Sequence, residues 1–188
     1  MKKDKIIEKI KFHCETKKYC RLTRKVSKHN IQFSSGYMLD YSDDFILLQE
    51  TDDFIFDGYS VLPIKDIDHL RYNKWDKYYH KIMGLENQLE LVGINYTVAL
   101  KNWKSVFKSL QKNGSNIIIE CEGTEYNSFS IGHIIKVSKS DVTFHNYDPT
   151  GLFDKNLRVI EYEMITKVQF GDRYNNVFGK YTRYRKEK

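Results

Sequence analysis

The stretch Gly36-Tyr37-Met38-Leu39-Asp40-Tyr41-Ser42-Asp43-Asp44-Phe45-Ile46-Leu47-Leu48 decides the fold, because its plan returns later in the chain. Its opening recurs, 96 residues on and in weaker form, as Gly132-His133-Ile134-Ile135-Lys136-Val137-Ser138. Both copies continue into a short apolar run, Ile46-Leu47-Leu48 and Val142-Thr143-Phe144. Both then close on an isoleucine-centred segment, Asp66-Ile67-Asp68-His69-Leu70 and Met164-Ile165-Thr166-Lys167-Val168, and the offset drifts only from 96 to 98 residues. A duplicated β-rich module is the economical reading of such self-similarity.

Working outward, Ser42-Asp43-Asp44 and Ser138-Lys139-Ser140-Asp141 are turn-forming residues between apolar runs, the chemistry of tight hairpins. Upstream of each copy lies helical spacing. Ile6, Ile7, Ile10 and Cys14 mark a helix near residues 2–14, and Trp103, Val106, Phe107 and Leu110 mark a second that Asn113-Gly114 stops. The spacing predicts strands near 18–26, 34–42, 44–50, 57–63 and 67–72, then near 116–123, 129–138, 141–147, 157–163 and 165–171. The predicted class is mostly β with short helices (α+β), as two tandem five-stranded Sm-like or SH3-like barrels, each preceded by an α-helix. Curling into a barrel would let short strands escape exposed edges. The halves are residues 1–87, with a helical extension around Tyr72, Trp75, Tyr78, Tyr79 and Ile82, and residues 88–188, with a basic tail from Lys180. The run Leu89-Glu90-Leu91-Val92-Gly93-Ile94 fits neither template, and Arg173–Phe178 is a poorer helical match.

Composition narrows the classes. The 188 residues are 40% hydrophobic, with fourteen tyrosines, eleven phenylalanines and two tryptophans, enough to build cores and too many for a disordered chain. Two prolines and ten glycines leave no linker, so the halves should be closely coupled. No run reaches the roughly 18–20 apolar residues of a membrane span, and Met1-Lys2-Lys3-Asp4-Lys5 does not open a signal peptide, so a cytoplasmic protein with no membrane partner is expected. Cys14, Cys20 and Cys121, odd in number and without a CxxC pair, suit reduced thiols. The formal charge of +6 tilts the choice of partner toward polyanions.

The glycine in the second strand, the aspartates at the next hairpin and the isoleucine-centred last strand resemble the Sm-like fold, whose members include a bacterial RNA chaperone. The resemblance is clearest over Gly36–Tyr72 and holds in outline over Gly132–Phe170. It implies that Phe45 stacks on an RNA base and that Lys65 contacts RNA from the loop before the last strand. The asparagine the family places after the hairpin is absent, with Ile46 and Val142 near that place. Asp66 stands where the chaperone has a histidine, and the second-copy stretch Glu161-Tyr162-Glu163 is acidic.

Other candidates follow from the residues themselves. Lys101, Lys104, Lys108 and Lys112 recur along one side of the second-half helix, either a rail for phosphates or an ordinary solvated face. Arg183 and Arg185 alternate with tyrosines in the tail, a composition that stacks on bases while neutralising phosphates. Tyr72, Trp75, Tyr78 and Tyr79 form either a protein interface or packing between the two barrels. Asp52, Asp53 and Asp57 fail calcium-loop spacing, and His13, Cys14, Cys20 and His29 fit a zinc site poorly. His133 and His145 lie near Glu120 and Glu122, but no catalytic signature accompanies them. The expectation is a non-enzymatic binding protein without metal or cofactor, with RNA as the leading ligand and a protein partner as the alternative, as for an immunity or regulatory protein.

Overall fold

Ile6 and Ile10 fall one turn apart on the first helix and both are buried, so the chain begins by laying an apolar stripe on a sheet. In the computed structural model, which describes residues 3–93, 97–114, 116–123 and 127–184, this helix is α1 (Lys3–Thr16). There follow β1 (Tyr19–Lys25), β2 (Ile31–Tyr41), β3 (Phe45–Asp52), β4 (Ile55–Pro63), β5 (Ile67–Arg71) and α2 (Lys74–Leu85). The second half runs α3 (Trp103–Lys112), β6 (Ile117–Glu122), β7 (Asn127–Val137), β8 (Asp141–Asn146), β9 (Arg158–Glu161), β10 (Lys167–Phe170) and α4 (Arg173–Phe178). Leu89–Leu91 forms a short 3-10 turn, and Ile94 lies outside the described residues.

The strands form one antiparallel sheet of ten, in the order β5-β1-β2-β3-β4-β10-β6-β7-β8-β9. The mostly β, α+β class is as the sequence predicts, but the two closed barrels are not formed. The sheet is open, because β4 does not return to its own half: it pairs with β10, setting Val61 opposite Val168, Ser60 opposite Gln169 and Tyr59 opposite Phe170. Each half nevertheless has the same internal order, β5-β1-β2-β3-β4 and β10-β6-β7-β8-β9.

The repeated glycines occupy matching crowded points. Gly36 and Gly132 have φ of 155° and 154°, and a Cβ at either would collide with a neighbouring strand's carbonyl oxygen, that of Gln49 or of His145. Glycine alone tolerates both the dihedral and the approach. The hairpins after them also match, with Ser42 N–H donating to the Phe45 carbonyl and Ser138 N–H to that of Asp141.

Two main cores result. One, under α1, is drawn wholly from the first half and includes Ile10, Leu22, Ile46, Leu48 and Leu62. The other lies under α3 and mixes the halves: Phe45, Leu47, Tyr59 and Val61 pack with Trp103, Phe107, Ile119, Phe144 and Val168. The middle of β3 is therefore buried on both faces, Ile46 and Leu48 toward one core and Leu47 toward the other. Where the halves meet, Arg24 pairs bidentately with Glu122 at 2.9 and 3.2 Å, and the Thr166 hydroxyl donates to Glu122 Oε2 at 2.6 Å.

Candidate functional site

The hairpin residue Phe45 is positioned by Ser42, whose hydroxyl donates to the Leu100 carbonyl at 2.8 Å and accepts the Phe45 N–H at 3.1 Å. This brings Phe45 edge-on against Trp103 of α3, with ring centroids 4.6 Å apart. Phe45 is only 7% exposed, so the surface on which a base would stack is taken by the chain's own tryptophan. A cleft of about 370 Å³ opens beside it, bordered by Asp43, Asp44, Lys65, Trp103 and Glu163. Three carboxylates face one ammonium there, which repels phosphate. Phe45 and Lys65 thus border one cleft, in which the phenylalanine ring lies against Trp103 and three acidic residues stand near the lysine.

On α3, Trp103, Val106, Phe107 and Leu110 are buried, and the lysines take the other side: Lys101, Lys108 and Lys112 are exposed and Lys104 half-buried. At the C-terminus, Arg183 has an exposed side chain but a paired backbone, its N–H donating to the Gly151 carbonyl and its carbonyl accepting from Phe153. Tyr184 stacks on Phe153 at 4.7 Å. The described part of the basic tail is docked, and Arg185 lies outside the described residues.

The aromatic segment divides by role. Asn73 caps α2, accepting from the Trp75 and Asp76 N–H groups while Asp76 accepts the Asn73 N–H at 2.8 Å, a reciprocal capping box. Tyr79 points inward, stacked between Tyr19 at 4.1 Å and Phe54 at 4.6 Å, and its hydroxyl accepts the Phe54 N–H. Tyr72 leans on Phe12 and His13. With Tyr79, Met83 of α2 packs on Tyr19 and Tyr37, so the helix covers the first half's own strands β1 and β2 and does not lie between the halves. Trp75 and Tyr78 face outward, each 64% exposed.

Around these two rings stand Lys74, Lys77 and Lys81, all exposed. Lys74 Nζ lies 5.6 Å from the Trp75 ring centre, and Lys77 Nζ lies 5.4 Å from that of Tyr72, both within cation–π reach. Asp76, the acid in this turn, is buried and held by Arg71 at 2.8 Å, so its charge is neutralised beneath the surface. The outer face of α2 is therefore cationic and aromatic together. Sequence reasoning picked out its rings and passed over its lysines; the run Lys74-Trp75-Asp76-Lys77-Tyr78-Tyr79-His80-Lys81 carried the signal in its three- and four-residue lysine spacing.

Titratable groups elsewhere are engaged structurally. His133 and His145 are cross-strand neighbours against Phe153, and burial pushes the His133 pKa down. Glu120 shares Lys167 with Glu50, and Glu122 is the partner of Arg24. Burial raises the Cys14 thiol to about 12 and pushes the thiols of Cys20 and Cys121 up as well, so all three stay protonated. Among the described residues, no three His, Cys, Asp or Glu side chains converge as metal ligands, and no helix is long and apolar enough to cross a membrane.

No protein family, no curated protein and no solved structure matches this chain.

Proposed function

We propose that the protein is a non-catalytic binder of single-stranded RNA, related to the Sm-like proteins it resembles, and that it holds RNA on the outer face of α2. The observation that carries this reading is the exposed pair Trp75 and Tyr78 set among Lys74, Lys77 and Lys81 while Asp76 is withdrawn and paired. Exposed rings stack on bases irrespective of sequence, and flanking ammonium groups release counterions from the phosphates. The lysines of α3 and the net charge of +6 add a long-range attraction. The Phe45–Lys65 cleft has no part in it.

Binding of short fluorescent RNAs tests this. Affinity should fall steeply with salt, Trp75→Ala or Tyr78→Ala should weaken binding about tenfold or more, and replacing the three α2 lysines by glutamine should flatten the salt dependence. Equal loss on replacing Lys104 and Lys108 would move the site to α3. A second reading rests on the same rings, since Trp and Tyr are favoured at protein interfaces. An absence of RNA binding at low salt, together with a protein partner whose capture needs Trp75 and persists in salt, would establish that reading instead.

A further inference from the structure

The cleft of about 370 Å³ beside Phe45 lies where the halves meet, between the hairpin before β3, the 3-10 turn Ile64–Asp66, the start of α3 and the 3-10 turn Tyr162–Met164. Its walls are set by contacts of their own. Phe45 and Trp103 hold each other edge-on, and Tyr162 stacks on Phe107 with centroids 5.7 Å apart while its hydroxyl donates to the Ser138 carbonyl. The Ile64 N–H donates to the Asp44 carbonyl at 2.8 Å, which ties the first turn to the hairpin. A preformed cavity of this size between two substructures, aromatic within and polar at a few points of its rim, is the form that small-molecule sites take.

The charges on its rim define the ligand class. Asp43, Asp44 and Glu163 stand there against Lys65 alone. A second cleft, of about 490 Å³, adjoins the first: it shares Tyr162 and Glu163 with it and adds Asp141 and Glu161. Among the described residues, none of these five carboxylates is in an ion pair with a lysine or arginine, although the chain carries a formal charge of +6. Nor do any three of them converge on one point as metal ligands would. Negative charge strung along an aromatic groove is complementary to a cation whose own charges are spaced out, with apolar links that lie over the rings. We propose that the two clefts together bind a linear aliphatic polyamine. Its methylenes cover Trp103 and Tyr162, and its ammonium groups meet Asp43, Asp44 and Glu163, reaching Asp141 and Glu161 when the chain is long enough. Lys65 opposes the ligand. No residue of α2 lines either cleft, so the site is independent of RNA binding on that helix.

The chain has two tryptophans, so Trp75→Phe leaves Trp103 as the only one and makes its emission a reporter of the cleft. Titrated into that protein, putrescine, spermidine and spermine should each shift the emission saturably, with dissociation constants of about 10–1000 µM that fall with the number of ammonium groups and rise with salt. Asp44→Asn and Glu163→Gln should each weaken all three amines about two- to fivefold. Glu161→Gln should weaken spermine and leave putrescine unchanged, because only the longer chain reaches the second cleft, and Lys65→Gln should tighten all three. All four side chains are exposed, so circular dichroism should not change. An emission that no amine moves up to about 10 mM, or that magnesium ion moves equally at the same ionic strength, overturns the proposal. So does a spermine affinity that Asp44→Asn with Glu163→Gln leaves intact. A lysine-rich peptide that binds more tightly than spermine would give the groove to a protein partner and overturn it as well.

Discussion

Arg24 and Glu122 are 2% and 9% exposed in their side chains, and they face each other across the seam between the halves. Burying two charges costs several kcal/mol each, which the bidentate contact and the added bonds to the Thr166 carbonyl and hydroxyl offset. Removing one partner strands the other. Arg24→Met should therefore lower unfolding free energy by about 3–5 kcal/mol in urea titration, while Arg24→Met with Glu122→Leu should lose distinctly less. Beside this pair lies Asp66, whose Oδ2 has no hydrogen-bond partner among the described residues and whose pKa burial raises from 3.8 to about 6. The folded state then holds this proton more tightly than the unfolded chain does. Its contribution is fully present below about 4 and is lost as pH rises through about 6. Melting temperatures measured across that window should fall less with rising pH in Asp66→Asn than in wild type, and the variant should be the more stable at pH 7. Equal slopes would place Asp66 in contact with water.

Individual elements were legible where period and punctuation agreed. Trp103, Val106, Phe107 and Leu110 fix a helix by spacing alone, and Gly36 and Gly132 mark strands pressed against a neighbour. What stayed hidden was which partner each element would find. Ile46-Leu47-Leu48 is a continuous apolar run, the mark of a strand covered on both faces. The second cover is the α3 core, and the sequence offers no local sign of a contact so distant along the chain. The contact of Phe45 with Trp103 was hidden for the same reason, since Trp103 was legible only as part of its own helix stripe. Trp75, Tyr78 and Tyr79 read alike in sequence, but helical rotation turns Tyr79 under Phe54 and leaves the other two in solvent.

At the scale of the molecule, joining β4 to β10 converts two similar halves into one sheet and gives them a shared core. Phe45, Leu47, Tyr59 and Val61 of the first half share one core with residues of the second, so unfolding either half exposes apolar surface of the other. Each buried aliphatic or aromatic side chain of this kind contributes about 1.5–3 kcal/mol, and four of them together rival the total stability of an ordinary domain. The Arg24–Glu122 pair adds the cost of parting two buried charges. Neither half can then melt ahead of the other without a penalty comparable to global unfolding. Scanning calorimetry should show one transition, with an enthalpy of about 130 kcal/mol near 60 °C for a chain of this length and a ratio of calorimetric to van't Hoff enthalpy close to one. A ratio near two would mean that the halves unfold independently and that the β4–β10 junction contributes little. Arg24→Met should leave the ratio at one while lowering the melting temperature, because a single damaged bond weakens a common structure without dividing it.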